Sequence, residues 1–238
     1  MPTWISDLRQ RRRQPEIMDQ PDLDRARHVE ALRGLERINL LSGSDRILWR
    51  PIRALARELG RVLRILDIAT GAGDVPIRLW RRGRRMGLPL QVTGCDISSQ
   101  ALDYAREHAA RHCADVDFVH VDALADPIPA GYDVITCSLF LHHLDEAEAI
   151  SLLRRMAQAT TSMVLVNDLR RGVSGYLLAW FGVRALSASD VVRVDGPRSV
   201  EAAWTVREMQ HLANVAGLRG SKVVKCWPCR MLLSWRRA

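Results

Sequence analysis

Two adjacent histidines stand in the segment Leu139-Phe-Leu-His142-His143-Leu144. Imidazole can take a proton near neutral pH, so the pair is a natural place to look for a general base. Neighbouring residues at a strand-to-helix junction point in different directions, so at most one of them is expected to face a reacting group. The stretch Asn167-Asp168-Leu-Arg170-Arg171 offers more. Asp168 could serve as base or hold a hydroxyl, and Arg170 could stabilise a phenolate; an ordinary loop ion pair is the plainer alternative. His28, on an amphipathic helical stripe, is a minor candidate for the same proton.

A second kind of chemistry is written in residues 65–74, Ile-Leu-Asp-Ile-Ala-Thr-Gly-Ala-Gly-Asp. A buried-type strand runs into a turn of small residues, and a helical pattern follows at Val75, Ile77, Leu79 and Trp80. Glycine adopts positive φ and has no Cβ, so a ligand can lie against bare backbone there. The next strand, Leu90 to Asp96, ends in a carboxylate placed to accept hydrogen bonds from ribose hydroxyls. Together these imply a nucleoside-containing cofactor. A dinucleotide is disfavoured, because the G-x-G-x-x-G spacing needs glycine at 69 or 76, where the chain has Ala69 and Pro76.

The successive segments Asp67-Ile-Ala-Thr-Gly71-Ala-Gly73, Asp96, Val121-Asp122-Ala123 and Tyr132-Asp133-Val134-Ile135 resemble, in order and spacing, the motifs of class I S-adenosylmethionine-dependent methyltransferases. The resemblance covers roughly 61–168 well and the rest loosely. Ala69 departs mildly from it, standing where many members carry the first glycine of the loop. The resemblance implies S-adenosyl-L-methionine as cofactor, held by Asp67, Ala69, Thr70, Gly71, Gly73, Asp96, Ile97, Asp122, Ala123 and Ser138. The segment from Asn39 through Asp45-Arg46 to Trp49 is similar to the N-terminal part of the menaquinone/ubiquinone C-methyltransferase group.

The elements that must position these groups follow from periodicity. Strands are expected near 62–69, 90–96, 116–122, 132–138 and 161–167, alternating with helices, which gives an α/β fold with a mostly parallel sheet covered on both faces. Val223–Lys225 and Met231–Trp235 would close a seven-stranded, Rossmann-like sheet as a hairpin. Thr205-Val-Arg-Glu208 reads as a capping box opening a late helix. Ahead of the core, Ala26, Val29, Leu32, Leu35, Ile38 and Leu41 recur at helical spacing, and a second helix follows at Leu48, Ile52, Leu55 and Leu59. Residues 1–58 thus form a helical cap and 59–238 the core, with an apolar insertion near 169–204. That insertion carries an unusually apolar helix from Val173 to Leu186, expected to line a pocket for a greasy acceptor with Tyr176 or Trp180 covering it. A lipid surface is the weaker reading, leaving peripheral membrane contact open.

Composition narrows the classes. No apolar run is long enough to span a membrane, and the first residues show no apolar leader stretch. Five cysteines at irregular spacing fit a reducing cytoplasm. Cys226-Trp-Pro-Cys229 is flanked by strand-like segments rather than a helix start, so it reads as a turn, not a redox pair. No second C-x-x-C or paired histidine accompanies it, so no metal site is expected. The net charge of +8 is mostly arginine, clustered at Arg9, Arg11, Arg12, Arg13 and at Arg81, Arg82, Arg84, Arg85. These runs lack interleaved aromatics, and Cys137-Ser-Leu-Phe140 stands where base-methylating enzymes carry Asn/Asp-Pro-Pro-Tyr. They read as solvated faces, and no specific nucleic-acid partner is expected.

These readings converge on a cytoplasmic methyltransferase of a small hydrophobic hydroxylated acceptor, phenolic, quinol-like or polyketide-derived. O-methylation is preferred because a candidate base is present. C-methylation of a quinol is the runner-up, and a non-catalytic nucleoside binder or nucleic-acid-associated protein is the alternative from another class.

Overall fold

The computed structural model describes residues 8–20 and 23–237. The opening residues, which bear on a leader, and Pro21 and Asp22 lie outside that range. Seven strands, β1 (Leu63–Ile68), β2 (Leu90–Asp96), β3 (Val116–His120), β4 (Tyr132–Ser138), β5 (Thr160–Leu169), β6 (Lys222–Cys226) and β7 (Arg230–Arg236), form one sheet ordered β3-β2-β1-β4-β5-β7-β6. The first five are parallel; β6 and β7 form an antiparallel hairpin paired to β5. Cys226-Trp-Pro-Cys229 is the turn of that hairpin, and both cysteines are free.

Strands β1 and β4 are covered on both faces, which is why they read as nearly unbroken apolar runs. One face packs on α5 (Glu146–Ala159) and α8 (Val206–Val215) through Leu152, Leu153, Met156, Met209 and Leu212. The other packs on α2 (Ser44–Leu59) and α3 (Asp74–Arg85) through Leu48, Ile52, Leu55, Val75 and Leu79. Capping boxes start α5 at Asp145 with Glu148 and α8 at Thr205 with Glu208. Strand order reverses between β1 and β4, and in such sheets ligands bind outside the strand ends at the point of reversal.

Above that point lies a cover made from distant parts of the chain. Helix α1 (Arg25–Ser42) breaks from α2 at Gly43, whose φ of +66° makes the corner. The insertion forms two helices rather than one, α6 (Val173–Leu186) and α7 (Asp190–Ala202), separated where the Ser189 side chain caps the second. Ala31 packs with Val183, Val191 and Val192, joined by Leu35 and Ile38. Gly34 permits this approach, since a Cβ there would lie 2.4 Å from the Ser187 hydroxyl oxygen. Among the described residues no helix is long and apolar enough to cross a membrane.

Candidate active site

A cavity of about 1140 Å³ opens between the carboxyl ends of the strands and the cover of α1, α6 and α7. Single small-molecule sites run roughly 300–1,000 Å³, so this one has room for a cofactor and a second molecule.

One half is built on the tips of β1, β2 and β3, with α4 (Ser99–Arg111) beyond. Asp67, Ala69, Thr70, Gly71, Asp96, Ile97, Asp122, Ala123 and Ser138 all line it. Gly71 has φ +53°, and a Cβ there would meet nothing within 4 Å, so the turn shows bare backbone to the cavity. Ala69 takes φ +52°. That conformation costs a non-glycine residue about 1–2 kcal/mol, which gives a physical reason for the glycine more usual there. Gly73 is different. It does not line the cavity, and a Cβ on it would strike the Phe118 ring at 2.8 Å, so its role is packing.

Asp67 and Asp74 are buried and Asp96 is partly buried, and all three accept hydrogen bonds. Asp96 accepts from the backbone N–H of Gly71 at 2.8 Å and of Ser98 at 2.9 Å. Burial nevertheless raises its pKa above the usual range. Asp67 accepts from Thr136 at 2.6 Å and Thr70 at 2.9 Å, and burial still pushes it up to about 7. Asp74 is pushed up by burial to about 6. Arg230 is 2 % exposed and gives one guanidinium nitrogen to Ser42 Oγ at 2.6 Å and Asn39 Oδ1 at 3.3 Å. Its other terminal nitrogen, Ser138 Oγ and Asp74 Oδ2 are buried with no hydrogen-bond partner among the described residues, and all three residues line the cavity.

The other half is assembled around the short 3-10 turn Leu141–His143 after β4. His142 Nδ1 lies 2.7 Å from Asp168 Oδ1, and the His142 backbone N–H donates to the same carboxylate at 3.1 Å. An ionised carboxylate only accepts, so Nδ1 carries the hydrogen and Nε2 the lone pair. Burial pushes the Asp168 carboxyl up, but the charge and hydrogen bonding of His142 outweigh it and hold its pKa below the usual range. Glu16 faces both rings, 3.8 Å from His142 Nε2 and 3.9 Å from His143 Nε2, while accepting from Ser199 Oγ at 2.5 Å.

Several sequence expectations are corrected here. The two histidines do not diverge: both line the cavity, with ring centroids 4.3 Å apart. Asp168 is fully buried behind His142, and it holds the His142 imidazole rather than a substrate hydroxyl or a loop ion pair. Arg170, Tyr176 and Trp180 do not line the cavity. Helix α6 turns Gly175, Leu178, Ala179 and Gly182 inward, and this face leaves Trp180 and Phe181 outside, exposed. His28 does line the cavity, with Nδ1 2.8 Å from Gln100 Oε1. Arg11 is not on a solvated face. It donates to the backbone oxygens of His142 at 2.8 Å and Leu144 at 2.7 Å and stacks 3.6 Å over Trp204.

Glu16, Asn39, Ser199 and Arg230 were missed. Asn39 lay inside a segment noted for its resemblance, but nothing local marked the others, whose partners lie far away in sequence.

Residues 65–162 match the family model described as a methyltransferase domain. The ubiquinone biosynthesis O-methyltransferase of Nitrosomonas europaea is 31% identical over 165 residues, covering 67% of this chain and 65% of that protein. The demethylmenaquinone methyltransferase of Deinococcus radiodurans is 31% identical over 120 residues, covering 50% and 48%. The chain belongs to the class I methyltransferases. Its matches span 46% to 65% of the length of these and similar curated relatives. The solved S-adenosylmethionine-dependent methyltransferase SibL shares the fold, with a TM-score of 0.64 at 19% identity over 97% of this chain and 64% of that one.

The cofactor of the class is S-adenosyl-L-methionine, and this chain's residues fit it. The open Gly71 backbone and the Asp96 carboxylate suit a nucleoside. Asp67 and Asp74 offer acceptors suited to an ammonium, and the unpartnered nitrogen of Arg230 is suited to a carboxylate.

Proposed function

We propose that this chain methylates a hydroxyl of a small hydrophobic phenol or quinol, with His142 as general base and Asp168 as its positioning residue. The observation that carries this reading is the 2.7 Å contact from His142 Nδ1 to the buried Asp168 carboxylate, which leaves Nε2 as the proton acceptor on a cavity-lining residue. When bound, the cofactor supplies an electrophilic methyl group on a sulfonium. The chain's own work is to orient the acceptor, exclude water and take the hydroxyl proton. A phenol ionises near pH 10 in water, so a base held in place is useful at neutral pH. The Glu16 carboxylate lies 3.8 Å from Nε2, on the side where the acceptor would sit. The inward faces of Leu178, Ala179, Leu32 and Leu35 suit an apolar ring or tail.

C-methylation of a quinol is the second reading. It is favoured by Asn39, whose resemblance is to the C-methyltransferase group and which bridges Asp74 and Arg230 inside the cavity. Incubation with methyl-labelled donor and a panel of phenols and quinols, with the product carbon located by NMR, separates the two. A methyl on oxygen supports the first reading, a methyl on ring carbon the second, and binding of the donor without turnover on any acceptor would defeat both.

A further inference from the structure

We propose that Glu36, His108 and His112 form a zinc-type divalent-metal site that ties the covering helix α1 to the cofactor turn. The three lie outside the cavity lining, and their candidate ligand atoms all fall within 4.8 Å of one another. His108 and His112 are four residues apart at the end of α4, the spacing that puts two side chains on one helical face. Their ring centroids are 4.9 Å apart.

His108 is oriented as a ligand histidine is. Its Nδ1 donates to the backbone oxygen of Ala72 at 2.9 Å, and its Nε2 faces the Glu36 carboxylate, to which it donates until an ion takes the place of that proton. Metal-bound histidines usually donate their second ring N–H to a carbonyl or carboxylate in this way. Nε2 is 3.3 Å from Glu36 Oε1. Two ligands of a tetrahedral zinc at about 2.0–2.1 Å lie about 3.3 Å apart, so this pair already has the required separation. His112 is exposed and can swing the remaining distance by changing rotamer. Two imidazoles and one carboxylate are borderline donors suited to zinc and cobalt rather than magnesium or calcium.

Two guanidiniums oppose the ion. Arg78 is 3.9 Å from Glu36 Oε1, and Arg81 is 3.5 Å from His112 Nδ1. Binding therefore displaces at least Arg81. The expectation from sequence that no paired histidine exists overlooked His108-Ala-Ala-Arg-His112, whose third partner comes from a separate helix.

The position gives the site a consequence. His108 touches Ala72 of the cofactor turn on one side and Glu36 of α1 on the other. Helix α1 lends Leu32, Leu35 and Asn39 to the cavity. An ion at this joint holds the cover against the turn, so metal and cofactor strengthen each other's binding by the same factor. This coupling rests on the cofactor reading; the metal site does not.

The test uses the full chain stripped with a chelator and titrated with Co²⁺, whose tetrahedral sites absorb in the visible, followed by displacement with Zn²⁺. One ion per chain is expected. Affinity should fall by about tenfold or more in His112→Ala and in Glu36→Gln, rise in Arg81→Gln, and stay unchanged in His143→Ala. His112 is exposed, so its variant keeps the fold. Equal affinity in His112→Ala and the parent, no visible band at millimolar cobalt, or a loss confined to His143→Ala would overturn the site, the last moving the ion to Glu16, His142 and His143. Zn²⁺ should also tighten S-adenosylhomocysteine binding in the parent but not in His112→Ala; equal binding with and without Zn²⁺ would overturn the coupling alone.

Discussion

The two halves of the cavity are built by different rules. The cofactor half uses the ends of consecutive parallel strands, so each group sits at or just beyond the tip of its own strand: Asp67 near the end of β1 and Gly71 in the turn after it, Asp96 at the end of β2, Asp122 after β3. The acceptor half draws on Glu16 before α1, the turn after β4, Asp168 in β5, the inner face of α6 and Ser199 in α7. One half is fixed by the backbone of the sheet. The other depends on side chains that meet across long stretches of chain.

The sharpest way to break that contrast is to damage one half alone. His142→Ala should lower kcat by roughly 10²–10⁴-fold while leaving cofactor affinity nearly intact. The loss should shrink at high pH, where a phenol ionises unaided. Steady-state kinetics across pH together with calorimetry checks this; a parallel loss of cofactor affinity would mean the halves are not separable.

Asp67 tests the cofactor half through stability. In the unfolded chain its carboxyl ionises near pH 4, whereas burial holds the folded one protonated up to about 7. The unfolded state therefore loses its proton first. The protein without cofactor should lose stability as pH rises from about 4 to 7 and level off above, by up to roughly 4 kcal/mol from this group. Asp67→Asn should flatten that slope in urea titrations compared across pH. An unchanged slope would place the cost elsewhere.

Asp96→Ala should weaken cofactor binding by about 1.5–3 kcal/mol, the worth of charge-assisted hydrogen bonds, with kcat at saturating cofactor little changed. Calorimetry finding parent affinity would remove the ribose role. Gly73→Ala should do the opposite of a binding mutation. With φ +69° and the Phe118 ring in the way, it should cost about 1–2 kcal/mol of stability from the backbone alone, seen in chemical denaturation. The smallest effect is expected from Trp180→Ala, on the outer face of α6. Its kcat/KM should stay within about twofold of the parent, as for an ordinary surface change. A larger fall would mean that the outer face of α6 also meets substrate.

The same contrast explains what the sequence could show. Apolar runs ending in glycine or aspartate locate strand tips, and the parallel topology then brings those tips together without further information. The hairpin and the Thr205–Glu208 capping box were legible for a similar reason, since each depends on residues close together in the chain. Asp168 was visible as a polar residue near the end of β5, but not its pairing with His142, which register alone decides. Tyr176 and Trp180 looked suitable by chemistry. A nearly all-apolar helix has no polar stripe to tell its inner face from its outer one, so their direction could not be read. Glu16 sat in a segment rich in turn formers, and nothing local ties it to histidines more than a hundred positions away.

Arg11 bonds to the backbone of the histidine turn and of Ala202, Arg13 to that of His143, and Glu16 to Ser199. These residues leave the ribosome early, while Ala202 and Ser199 leave it late. During synthesis the arginines and Glu16 must wait, undocked, until nearly the whole chain has emerged. The tips of β1, β2 and β3 that face the nucleoside all precede Ala202 in the chain, so the proton-accepting turn is clamped after they are made, and Arg230, offered to the cofactor's carboxylate, emerges later still.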